Sequence, residues 1–428
     1  MKQKDKKFIK EINVNKNINI LSLFSGCGGM DLGFEGGFSV PRKSVPENTD
    51  FIDEEINANF VQLKKTRFKI VFANDILTEA YNTWSHHFQK LGYSPDIYHK
   101  ESIVDLVKRH RNGETIFPAN VDIVTGGFPC QDFSVAGKRQ GFKSHKDHNG
   151  KLINGDIASE ETRGKLYFWM KEVIDITKPK IFIAENVKGL TNFSDVKDII
   201  QKDFSTADGD GYIVLSPQVL HAANYGVPQS RERVIFIGIK KSALKPEALK
   251  ALSSTTIPEQ YNPYPKPTHA FNTFSANLKS PVVLQDIFSE LEEPYSSKDE
   301  SQKYFSKAKY MGAHCQGQKE ISLNKIGPTI RSEHHGNIEY RRLSKEHGGL
   351  IENELSKGLA ERRLTPRECA MIQTFPINYE FVIPCENKKR GFIVSPSAAY
   401  KVIGNAVPPL LAYHIAKRIE NIWSLYFI

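Results

Sequence analysis

Cysteine is scarce in this chain and poorly spaced for structural work. The 428 residues hold five, at positions 27, 130, 315, 369 and 385, with no CxxC pair among them. That argues against a disulfide scaffold and against a structural zinc site, and it fits the reduced thiols of a cytosolic protein. Long apolar runs are missing too; stretches such as VIFIGI (234–239) are far too short to cross a bilayer. The N-terminal MKQKDKKFIKEINVNKN is basic but has no apolar centre of the kind a signal peptide needs. A cytoplasmic protein with no membrane partner is expected. Neither GxGxxG nor a GK[ST] phosphate loop occurs at the one glycine-rich turn that follows a strand-like run, which removes the usual signatures of dinucleotide and nucleoside triphosphate binding. No internal repeat and no low-complexity tract is present.

What is there describes a globular protein: 39% hydrophobic residues, 25% charged residues and a formal net charge of +9. The length suits two or three domains. The basic balance suits a polyanionic partner such as nucleic acid.

Short apolar, β-branched runs alternate with helical patterns. INILSLF (18–24), FKIVFAND (68–75), VDIVTGGF (121–128) and KIFIAENV (180–187) read as buried strands bounded by Gly, Pro or Asn. Between the last two, Leu166, Trp169, Met170, Val173 and Ile174 share one helical face, and Pro179 helps end the helix. Strand, helix and strand at this spacing predict a parallel sheet covered by helices. Two more strands are expected near 212–240. Residues 40–67 and 143–162 break the rhythm as polar inserts, expected to be surface excursions, the second a lid. Residues 241–360 are rich in Pro, Ser, Asn and His and have weak periodicity. In RRLTPRECA, Thr365, Pro366 and Glu368 form a capping box with proline at the first helical position. The last helix carries an apolar stripe of Leu411, Ile415, Ile419 and Ile422, expected to cover the sheet.

Three strand ends carry chemistry. The glycine loop LFSGCGGMDLGFE (23–35) can bring backbone N–H groups close to a ligand. Asp75 ends the second strand, where a carboxylate can bind a ribose diol or cap a helix. In GGFPCQDFS, Cys130 lies beyond its strand on a loop stiffened by Pro129. A free cysteine is ordinarily a small buried apolar residue. Here the polar flanks Gln131, Asp132 and Ser134 favour an accessible thiol, which as thiolate is a strong nucleophile. Glu185 and Asn186 close the next strand at the same rim, where partial desolvation raises a carboxyl pKa. Arg231 and Arg233 alternate on entering a further strand.

FSGCGG, GGFPCQDFS, AENV, QSRER, RRLTPRECA and GNAVP occur in the order in which the C5-cytosine-specific DNA methyltransferases carry them, and the chain resembles that family over 18–240 and 360–425. The resemblance implies a doubly wound, Rossmann-like α/β methyltransferase sheet with a second, smaller target-recognition domain. Residues 1–240, completed by 395–428, would form the catalytic and cofactor-binding domain, and 241–394 the reader. It implies S-adenosyl-L-methionine as cofactor, with Phe24, Gly26, Gly29, Asp75, Ile76, Ile103, Gly127, Pro129, Leu166 and Asn405 around it. Cys130 would be the nucleophile, Glu185 the carboxyl at the base, Arg233 the clamp on the cytosine edge and Arg231 its support. Ser102 stands where the family's third motif usually carries an acidic residue.

The partner implied is double-stranded DNA, with a cognate restriction endonuclease acting on the same site and a monomeric enzyme. For DNA recognition, GPTIRSEHHGNIEYRR (327–342) offers Arg331, His334, His335, Asn337, Arg341 and Arg342. No metal is expected, since the paired histidines have no cysteine or regular ligand spacing beside them. The sequence leaves open an RNA cytosine methyltransferase, a catalytically silent DNA-binding protein on the same scaffold, and a nucleotide-linked oxidoreductase.

Overall fold

The computed structural model describes residues 16–47, 49–129, 166–192, 194–209, 211–271, 277–332, 338–387 and 391–428. Its centre is an eight-stranded sheet of β1 (Ile18–Leu23), β2 (Phe68–Asn74), β3 (Tyr98–His99), β4 (Ile123–Gly126), β5 (Ile181–Val187), β6 (Tyr212–Val214), β7 (Gln218–His221) and β8 (Glu232–Lys240). Spatial order along the sheet is β7-β8-β5-β4-β1-β2-β3, with β6 also paired to β8. Strands β3, β2, β1, β4 and β5 run parallel, and β8 lies antiparallel to β5. The mixed α/β architecture is thus the one expected. Chain order reverses between β1 and β4, where Leu23 pairs with Gly126. A crevice at the carboxyl ends of these two strands is where such sheets bind ligands.

Both faces of the sheet are covered, which is why its strands read as continuous apolar runs. On one face α3 (Ile103–Arg111), α4 (Leu166–Thr177) and α5 (Ser194–Ser205) pack on Leu21, Val124, Phe182 and Phe236. The helical stripe Leu166, Trp169, Met170, Val173 and Ile174 is buried here. On the other face lie α1 (Gly29–Glu35), α2 (Thr78–Phe88), α6 (Pro366–Ile372), α7 (Pro396–Asn405) and α8 (Pro409–Tyr426). The capping box forms as expected: Thr365 Oγ1 accepts the Glu368 N–H at 3.0 Å, and Glu368 accepts the Thr365 N–H at 2.8 Å.

Two elements hold more structure than the sequence announced. The insert at 40–67 is a small three-stranded antiparallel sheet of Ser39–Pro41, Ile52–Glu55 and Phe60–Leu63. Val40, Val61 and Leu63 are buried in it: Phe60–Leu63 is the central strand with alternate residues turned inward, and the acidic Ile52–Glu55 is an exposed edge. The α8 stripe lies in one apolar cluster with a face of the sheet, as expected, and α8 packs on α1 as well. A Cβ on Gly33 would fall 2.4 Å from the Ala412 Cβ, so glycine lets the two helices close together. The insert at 143–162 lies outside the described residues.

Among the described residues from 241 to 394 there are short helices and two short strand pairs, Tyr340–Arg342 with Arg362–Arg363 and Ile383–Pro384 with Phe392–Val394, and Leu284, Ile287, Ile330, Ile338 and Leu364 belong to the same apolar cluster as α8.

Candidate active site

Beyond β1 the chain turns tightly through Phe24 (φ 52°), Gly26 (φ 54°) and Gly28 (φ 79°). A left-handed φ on Phe24, which has no glycine-like freedom, marks a backbone held by its surroundings. The Ser25 N–H donates to Asn74 O at 2.8 Å and the Gly26 N–H to Asp75 Oδ2 at 3.1 Å. Asp75 Oδ1 accepts the Leu77 N–H at 3.0 Å. Tyr98 Oη closes the loop from the next strand, donating to Gly26 O at 2.9 Å. Burial raises the Asp75 pKa, while the N–H bonds from Leu77, Gly26 and Ile76 oppose the rise. Ile76 is 40% exposed, an aliphatic surface beside a half-buried carboxylate. That pairing suits a ligand with a hydroxylated sugar and a flat ring.

The C-terminal segment returns to this loop. A Cβ on Gly29 would lie 2.2 Å from Val407 O, so the turn after Asn405 presses directly on the start of α1. Asn405 itself is exposed at the end of α7. Phe24, Gly26, Gly29, Asp75 and Ile76 are thereby gathered at adjacent strand ends, with the turn that follows Asn405. Ile103 and Leu166 are instead buried in the apolar cluster beneath the α3–α5 face. Ser102, in the family's acidic position, caps α3: its Oγ accepts the Val104 N–H at 3.3 Å.

At the end of β5, Glu185 is 8% exposed and faces Arg233, whose Nε lies 2.7 Å from Oε1. The antiparallel register sets this pair, with Ile235 opposite Glu185 and Arg233 opposite Val187. Gly127 makes room, since a Cβ there would fall 2.8 Å from Glu185 Oε2. Burial raises the Glu185 pKa, and the guanidinium groups of Arg233 and Arg231 pull the other way. Asn186 Nδ2 donates to Phe128 O at 3.1 Å and so fixes the start of the cysteine loop. Pro129 is the last described residue before that loop; Cys130 lies outside the described residues.

Arg231 is 1% exposed and spends its guanidinium on backbone carbonyls. Nη1 donates to Ile330 O at 3.0 Å, and Nη2 to Gly404 O at 2.9 Å and Ala406 O at 2.7 Å. Burial and the neighbouring Arg233 push its pKa down. Its geometry is that of a clamp joining β8, the 327–332 segment and the turn after α7. Arg231→Met leaves three buried carbonyls without that donor, each worth about 1–3 kcal/mol. The expected result in thermal unfolding is a fall in Tm of roughly 5–10 °C.

Among the expected recognition residues, His334, His335 and Asn337 lie outside the described residues. Arg331 pairs with Glu339 at 3.2 Å. Arg341 and Arg342 do not face solvent. Both bond to the Glu354 carboxylate at 2.5 Å, and Arg342 also binds Glu293 and donates from Nε to Ala360 O at 2.8 Å. They cross-link the chain between 293 and 360. Asn74, Tyr98, Gln229 and Gln373 were not picked out from sequence. Gln229 and Gln373 are fully buried and bonded to each other at 3.0 Å. Single polar residues inside apolar stretches give little signal until the chain is folded. Among the described residues no three His, Cys, Asp or Glu side chains gather as metal ligands.

The sequence pattern of the C-5 cytosine-specific DNA methylases matches residues 18–421. The Type II methyltransferase M.BsuRI of Bacillus subtilis is 31% identical over 96% of this chain and 81% of its own. The Type II methyltransferase M.HpaII of Haemophilus parainfluenzae is 28% identical over 84% of this chain and 85% of its own. In fold, the chain is similar to the S. pombe Dnmt2 methyltransferase, with a TM-score of 0.54 and 15% identity over 95% of this chain and 99% of that one. The family match spans both the glycine loop after β1 and the Glu185–Arg233 pair, and the chain belongs to the C-5 cytosine-specific DNA methylases: it is a DNA (cytosine-5-)-methyltransferase.

Proposed function

We propose that this enzyme methylates one cytosine within a specific short duplex sequence, as the modification component of a Type II restriction–modification system. The observation that carries the reading is the buried Glu185–Arg233 pair, set one strand from the glycine-loop pocket and beside the anchored start of the cysteine loop. A target base stacked in a duplex cannot reach such a recess, so it must be extruded. Cys130 then adds as thiolate to carbon 6 of the ring and breaks its aromaticity. Glu185 gives a hydrogen bond and a proton to ring nitrogen 3, where charge develops, and carbon 5 becomes enamine-like. Arg233 holds the Glu185 carboxyl and the adjoining base edge. Carbon 5 would then take the methyl that the bound donor supplies; loss of the carbon 5 proton to a water acting as base, elimination of the Cys130 sulfur as thiolate and return of the nitrogen 3 proton to Glu185 restore the ring.

S-adenosyl-L-methionine, when bound, supplies an electrophilic methyl on a sulfonium. The Asp75 carboxylate and exposed Ile76 at the strand ends fit a nucleoside-bearing donor, with Phe24 and Gly26 shaping the loop. Segment 241–394 is the reader in this view, and the net charge of +9 serves the phosphates. We place the enzyme in the cytoplasm as a monomer, acting on the site of a cognate endonuclease. Among the described residues no helix is long and apolar enough to cross a membrane.

The test is bisulfite sequencing of DNA from cells expressing the protein. Protected cytosines at one recurrent short motif are expected. Unmodified DNA, combined with methyl incorporation into RNA by the purified protein, would overturn the DNA reading.

A further inference from the structure

Behind the glycine loop runs a buried polar chain that the reaction chemistry leaves unused. Asp31, in the first turn of α1, is 1% exposed and has no ion-pair partner among the described residues. Its Oδ1 accepts the Ser22 hydroxyl at 2.5 Å and its Oδ2 accepts Trp84 Nε1–H at 2.8 Å. Ser22 has one hydroxyl hydrogen, and Asp31 takes it. Ser22 Oγ is therefore left to accept the Ser25 hydroxyl at 2.8 Å. Ser25 Oγ in turn accepts the Asn74 N–H at 3.1 Å, and Asn74 O accepts the Ser25 N–H at 2.8 Å. The next residue on each strand end completes the loop, Gly26 N–H to Asp75 Oδ2.

From the Asn74 N–H through the Ser25 and Ser22 hydroxyls, each hydrogen points toward the carboxylate. A carboxylate can only accept, so while Asp31 is ionised the Ser22 hydroxyl must donate to it and Ser22 Oγ stays an acceptor for Ser25. Once protonated, Asp31 can donate to Ser22, and the Ser25 hydroxyl can swing to Ser22 O, 3.0 Å away. Two arrangements of the loop hydroxyls then compete.

We propose that Asp31 is a positioning residue for the methyl donor, acting through Ser22, Ser25 and Asn74 to hold Phe24–Gly26 and Asp75 in one arrangement. The inference rests on assigning that loop to the donor. Burial pushes the Asp31 pKa up to about 6, against its bonds to Ser22 and Trp84. The titratable groups that face it are Glu35 on its own helix, the Cys27 thiol, and the phenols of Tyr93, Tyr98 and Tyr379. Asp75 shares the loop and also titrates above its ordinary range.

The experiment is calorimetric titration of the full-length protein with S-adenosylmethionine from pH 5 to 8, alongside steady-state kinetics on duplex DNA. Wild-type affinity is expected to fall as pH drops through about 6. Asp31→Asn offers an amide hydrogen to Ser22 and reverses the relay. It is expected to raise the donor KM about tenfold with kcat within about twofold, and to flatten the acid limb of binding. Ser22→Ala cuts the relay but keeps the Asp31 charge, and should raise the donor KM in the same way if Asp31→Asn does not fold. Wild-type donor affinity and an unchanged pH profile in both variants would overturn the proposal, as would loss of kcat at an unaltered donor KM. Failure of the wild-type protein to bind the donor would instead remove the donor assignment itself.

Discussion

Glu185→Gln is expected to lower kcat for methyl transfer by about 10²–10³, the usual cost of removing one group aimed at developing charge. Glutamine keeps the volume and can still touch Arg233 and a ring nitrogen, but it has no proton to give. Donor binding should survive, because the Phe24–Gly26 loop and Asp75 make none of their contacts through Glu185.

The pH dependence has a definite sign. Burial holds the Glu185 pKa above the ordinary carboxylate value, so its proton-donating form persists to higher pH than in a free glutamate. Activity should decline as pH rises through that elevated value, and Glu185→Gln should lose this limb of the profile. Stability follows the same direction. A carboxyl whose folded pKa is raised adds stability that is fully present below the unfolded value and is lost as pH rises through the folded one. A kcat within threefold of wild type, measured by methyl incorporation into a cognate duplex, would sink the assignment.

The strands that position this pair were legible because each is buried on both faces and reads as an unbroken apolar run. Ile181–Val187 is the clear case: its residues alternate between two apolar clusters, and Glu185 stands out as the charge that ends the run. The α4 face and the Thr365 capping box were legible for the same reason, since both are written within about one to three helical turns. What could not be read depends on residues far apart in sequence. Arg341 and Arg342 looked like donors for DNA because their partners Glu293 and Glu354 lie 49 and 13 residues away. Arg231 looked like a neighbour of Arg233, yet its guanidinium reaches carbonyls 99 to 175 residues further along the chain. The sheet at 39–63 was hidden because its exposed strand, IDEE, masks the buried Val61 and Leu63. Charge pairing and helix-to-helix closeness are properties of the folded chain, and local pattern carries them weakly.

Cys130→Ala is expected to abolish turnover, a loss of at least about 10⁴-fold, while donor and duplex binding persist. Without the thiolate, carbon 6 stays unattacked, carbon 5 stays aromatic, and neither Glu185 nor Arg233 can make up the missing electron pair. Cys130→Ser should fare little better, because an alkoxide is far harder to form than a thiolate near neutral pH. A duplex carrying 5-fluorocytosine in the target position sharpens the test: fluorine cannot leave as the proton does, so once carbon 5 has been methylated the wild-type enzyme should remain joined to the base through sulfur. The other thiols make poor substitutes. Cys27 and Cys369 are fully buried, and burial pushes both thiols well above their ordinary pKa. Cys315 and Cys385 are only partly covered and lie in the 241–394 segment, outside the strands and loops of the β4–β5 rim in sequence. Peptide mapping of the adduct should therefore find Cys130 alone. An adduct on any other cysteine, or normal turnover by Cys130→Ala, would show that Cys130 is not the nucleophile, and the role given to Glu185 would fall with it.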